Sequence, residues 1–156
     1  GTLGGGRVVR ADRLDDREML ALRHLGATGP LAGSKDTLAH QIWDEALAQA
    51  KYNGVNVDVG HYVAAGFDPL PLLKSKHEHI YSMHLKDRKS KENGGANMPW
   101  GEGDTPIVDI LQLMKKNKYK FPATVELEYP IPEGSEAVAE VAKCVEYCRK
   151  ALEKNT

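Results

Sequence analysis

The chain has 156 residues, of which 41% are hydrophobic and 28% charged, and its formal net charge is −1. That is enough chain to bury a core, and no apolar run is long enough to cross a bilayer. No basic block is present, so neither a nucleic acid nor a membrane is expected as a partner.

The opening "GTLGGG" has neither a charged n-region nor an apolar h-region, so no signal peptide is expected. Up to residue 40 the basic residues are mostly arginine (Arg7, Arg10, Arg13, Arg17, Arg23), and glycine is dense; beyond it lysine dominates. Residues 1–35 therefore stand apart as a Gly/Arg-rich, loop-rich segment, and "DDREMLALRHLG" within it reads as a short helix capped by Asp15 and stopped by Gly26. From Asp36 the pattern is cleaner. "DTLAHQIWDEALAQAKYNG" reads as an amphipathic helix, "VNVDV" as a strand, and "DPLPLLKSK" as a short helix opened by Asp68 and Pro69. "HIYSMHLKD" is a second strand, and Lys86 to Gly103 is a long polar loop. Thr105-Pro106 opens the helix "IVDILQLMKKN", "FPATVELEY" is a third strand, and the chain closes with the helix "SEAVAEVAKCVEYCRKALEK", with Ser135 at its cap. Cys144 and Cys148 sit four apart on that helix, a spacing that does not favour a disulfide, and a reducing, cytoplasmic setting is expected.

Helix followed by three strand-helix units implies an α/β fold with a parallel sheet. Side chains alternate along a strand, so Asn56 and Asp58 share one face, as do Ser82 and His84, and Thr124, Glu126 and Glu128. Both faces of a parallel sheet are covered, which fits a barrel with its chemistry at the carboxyl ends of the strands. Taken singly, each residue has a plainer reading: Asp58 as a turn former, His84 as a hydrogen-bonded core histidine, Glu126 or Glu128 as solvated. Taken together, two carboxylates and an imidazole in a half-buried site call for a neutralising cation, and the donor set suits Mn, Co, Mg or Zn.

With "DVGHYVAAGFDP", "HLKDR", "PWGEGDTP" and "ATVELEY" in this order, the chain resembles the sugar phosphate isomerase/epimerase family of xylose isomerase-like TIM barrels. The likeness covers roughly residues 36 to 152, within a barrel portion taken as 36–156. It implies a divalent metal on Asp58, His84 and Glu126, with Glu128 the alternative to Glu126, and Glu126 as the carboxylate that moves a proton. It further implies contacts to a sugar or polyol substrate from His61, Lys86 and Trp100, and makes His40 of "LAHQ" a further candidate. The implied reaction is proton transfer next to a carbonyl of a ketose or polyol, giving isomerisation or epimerisation. A full barrel of eight units needs about 250 residues. The chain therefore reads as an incomplete, half barrel, and the family's earlier glutamate ligand has no counterpart, since neither Glu18 nor Glu45 sits at a strand end.

Two other readings stay open: an inosose dehydratase-like lyase, and a non-catalytic fragment that self-associates through exposed strand edges as a homo-oligomer. A DNA-repair nuclease of the AP endonuclease branch would want more histidine ligands and a basic groove, and the sequence supplies neither.

Overall fold

The computed structural model describes residues 8–10, 44, 47–48 and 54–153. The predicted short helix over 15–26 and the candidate His40 lie outside the described residues. So does most of the amphipathic helix from Asp36, of which Asp44, Leu47 and Ala48 are described and helical.

Four strands form one parallel sheet: β1 (Val8–Arg10), β2 (Gly54–Asp58), β3 (Ile80–Leu85) and, further along the chain, β6 (Ala123–Val125), in the order β1-β2-β3-β6. Strand β1 falls inside the Gly/Arg-rich segment, where the sequence suggested loops. Between β3 and β6 the two-residue strands β4 (Asp87–Arg88) and β5 (Asn97–Met98) pair antiparallel, so the expected polar loop is in fact a small hairpin. The described strands make an open sheet, a portion of a barrel rather than a closed one.

Strand β2 ends one residue earlier than its valines suggest. Val59 begins helix α1 (Val59–Ala64), because Asp58 caps it by accepting a 2.9 Å hydrogen bond from the His61 N–H. Asp68 caps α2 (Pro69–Lys76) in the same way through Leu70 N–H, and Pro69 occupies the first helical position. Helix α3 (Ile107–Asn117) matches its predicted span and closes on Lys118 in the left-handed conformation, φ 55°. Helix α4 (Ala137–Glu153) follows Ser135, whose hydroxyl donates to Glu140. Strand β6 is shorter than "FPATVELEY" promised because its neighbour β3 stops at Leu85; the last link between them is Glu126 N–H to Leu85 carbonyl, 2.8 Å.

The alternation predicted from the sequence holds from Ser82 to Leu85 but is reversed at the start of β3, where Ile80 is buried and Tyr81 exposed, next to the register shift between Val55 and Asn56 of β2. Val55, Val57, Met83 and Leu85 are buried, and they pack with Leu72 and Leu73 of α2 and Ile107 and Ile110 of α3. Burying one such side chain contributes about 1.5–3 kcal/mol. Among the described residues no helix is long and apolar enough to cross a membrane.

Candidate metal centre

Register brings the polar faces together. Asp58 of β2 stands opposite His84 of β3, and His84 stands opposite Thr124 of β6, two residues before Glu126 on the same face. One ligand atom each from Asp58, His84 and Glu126 lies within 4.8 Å of the others. One step below, Ser82 Oγ donates to Asn56 Oδ1 at 2.9 Å, tying the same faces of β2 and β3 together.

Asp58 is 4% exposed. Its Oδ1 is taken up by the cap of α1, which fixes the carboxylate and turns Oδ2 into the site. That oxygen is buried, and its 2.9 Å approach to Lys86 Nζ is a charge contact without the alignment of a hydrogen bond. His84 Nδ1 lies 3.0 Å from Glu126 Oε2. In the tautomer that donates from Nδ1, the Nε2 lone pair is free for a cation.

Lys86, only 2% exposed, sits at the centre of the acids. Its Nζ donates to Glu128 Oε2 at 2.7 Å and lies 3.0 Å from Glu126 Oε2. Burial opposes charge on each of these groups, and the outcomes differ. Desolvation wins at Asp58 and raises its pKa against the pull of the His61 N–H and Lys86. At Glu126 desolvation is outweighed by Lys86, and the pKa falls. At Lys86 burial is outweighed by the carboxylates of Glu128, Asp58 and Glu126, and the ammonium is held charged. His61 is pushed down by burial, against the pull of Asp58. Its Nδ1 meets the Arg88 guanidinium, while its Nε2 faces the site, 4.0 Å from Asp58 Oδ2 and 3.9 Å from Glu128 Oε2.

Asp87 ties down the loop that follows β5. Its buried carboxylate accepts from the N–H groups of Gly101 (2.8 Å), Gly103 (2.9 Å) and Thr105 (3.2 Å). Gly103 must be glycine here, since an added Cβ would lie 2.0 Å from Asp87 Oδ1. On the same loop Trp100 meets Tyr147 of α4 edge-on, with ring centroids 6.0 Å apart, and packs against the core.

The structure thus brings Asp58, His84, Glu126, Lys86 and His61 into one cluster, and gives Trp100 its contacts with α4 and the core. Sequence reasoning passed over Arg88, Asp87 and the pairing of Glu128 with Lys86. For Lys86 a signal existed: it lies two residues beyond His84 and so on the same face.

A divalent cation fits the triad. Two carboxylates and one imidazole are a suitable donor set, and the buried Asp58 Oδ2 has no directed hydrogen bond of its own.

A parallel sheet with acids and a histidine at the carboxyl ends of its strands is the architecture of a portion of an α/β barrel. The chain belongs to the xylose isomerase-like TIM barrel family, whose pattern matches residues 34–150. Among solved structures it is similar to a xylose isomerase domain protein from Alicyclobacillus acidocaldarius, at 21% identity and TM-score 0.56, over 74% of this chain and 42% of that one. A sugar phosphate isomerase/epimerase from Parabacteroides distasonis is similar at 27% identity and TM-score 0.53, over 69% of this chain and 35% of the other. An IOLI protein with a binding zinc atom is similar at 18% identity and TM-score 0.58, over 77% and 44%. The chain thus spans about two-fifths of the length of these solved relatives. No curated protein matches it.

Proposed function

We propose that this cluster is the metal centre of a sugar or polyol isomerase/epimerase-type barrel that transfers a proton next to a carbonyl. The observation that carries the reading is the convergence of Asp58, His84 and Glu126 within 4.8 Å at the ends of three adjacent parallel strands. The sugar isomerase/epimerase and the zinc-bearing protein among the similar structures support the same reading.

Asp58, His84 and Glu126 would hold the ion, drawn from Mn, Co, Mg or Zn. When bound, it would polarise a substrate oxygen and favour loss of the neighbouring proton. Glu126, kept deprotonated by Lys86, is the base on this chain that accepts that proton. His61, with Nε2 turned inward, donates to a substrate oxygen, and the Arg88 contact at Nδ1 holds that orientation.

The test is incubation with ketohexoses and inososes in deuterium oxide with Mn²⁺, read by NMR and mass spectrometry. The reading predicts deuterium at the carbon next to the carbonyl, abolished by Glu126→Gln. Loss of water from an inosose would instead select the lyase chemistry. No exchange by the metal-loaded protein would overturn the proposal.

A further inference from the structure

We infer that Lys86 is a resident competitor for the divalent cation: its ammonium draws on the same carboxylates and weakens their grip on the ion. This inference rests on the metal-centre reading above.

The ammonium lies 2.9 Å from Asp58 Oδ2 and 3.0 Å from Glu126 Oε2, so it draws on two members of the triad. It is anchored from the far side by its hydrogen bond to Glu128. The position is reserved for it. The Lys86 stem crosses Gly60, where an added Cβ would fall 2.2 Å from Lys86 Cγ and 2.9 Å from the Lys86 carbonyl oxygen. At 2% exposure, little water screens the ammonium from a second cation placed on the same acids.

Lys86 could instead help the ion by positioning the carboxylates, but they are positioned without it. Asp58 is fixed by the His61 N–H, and Glu126 by its backbone bond to Leu85 and by His84. Removing Lys86 therefore removes a positive charge from beside the ion while leaving the donors in place.

The experiment is calorimetric titration of Mn²⁺ into metal-free wild type, Lys86→Met and Lys86→Gln, with melting curves with and without the ion. Both neutral variants are expected to bind about tenfold tighter or more. Without metal they melt below wild type, and on saturation they gain more in Tm than wild type does. Equal or weaker binding in the variants, with wild type binding normally, overturns the competition alone. No binding by wild type or variants overturns the metal-centre reading, and the competition with it. If neither variant folds, the wild type answers. Reductive methylation read by peptide mass spectrometry should modify Lys86 faster with saturating Mn²⁺, whereas an unchanged or slower rate overturns the inference.

Discussion

Asp87→Ala removes the acceptor that organises the loop after β5. The buried carboxylate takes three backbone N–H groups, at 2.8, 2.9 and 3.2 Å. A hydrogen bond to a charged group contributes about 1.5–3 kcal/mol net, so three would sum to about 4.5–9 kcal/mol if every donor were stranded. They are not equal, however. Gly101 is exposed and Gly103 half-buried, so water can take over part of their loss, while Thr105 is buried and its N–H is left unpaired. The loss expected is about 3–4 kcal/mol. Asp87→Asn keeps one acceptor oxygen and should lose roughly half as much. Urea unfolding followed by circular dichroism measures the change, and limited proteolysis over residues 88–106 reports whether the hairpin has come loose. A loss under about 1 kcal/mol with unchanged proteolysis would refute the reasoning, because it would mean the carboxylate does not hold the loop.

Two further predictions concern packing and pH. Gly60→Ala drives a methyl into Lys86 Cγ and should destabilise the chain by about 1–3 kcal/mol, as denaturant unfolding would show; a neutral result would mean Lys86 does not run where it is described. Glu140, buried at the start of α4, accepts from Lys143, Ser135 and Tyr129, which hold its pKa down to about 2 from an ordinary 4.5. Its folded pKa lies below its unfolded one, so its contribution is fully present above about pH 4.5 and is lost as pH falls toward 2. Stability of Glu140→Gln should therefore vary less than wild type between those limits, and parallel curves for the two proteins would contradict the assignment.

Regular features reached the sequence and local ones did not. Helix α3 was legible over its whole span because its apolar residues recur with helical period behind Thr105-Pro106. Strand parity placed Asp58, His84 and Glu126 on one side because the valines, Met83 and Leu85 had to face the core. Helix α1 escaped notice, since six residues are too few for a period and Val59 reads as strand; the Asp58 cap decides the matter only in three dimensions. The β4–β5 hairpin consists of two-residue strands, below any alternation signal. Asp87 has only backbone partners, which leave no trace in side-chain pattern. Lys86 was singled out as a contact to substrate, yet its three carboxylate neighbours come from β2 and from the segment after β6, distant in sequence and joined by the sheet.

The most direct test of the central claim is Mn²⁺ titration into metal-free protein, with Asp58→Asn and Glu126→Gln as comparisons. The account predicts one ion per chain bound at roughly micromolar or tighter, about −8 kcal/mol, and weakened by about a hundredfold or more in either variant. Absence of binding, or binding indifferent to both substitutions, would contradict it.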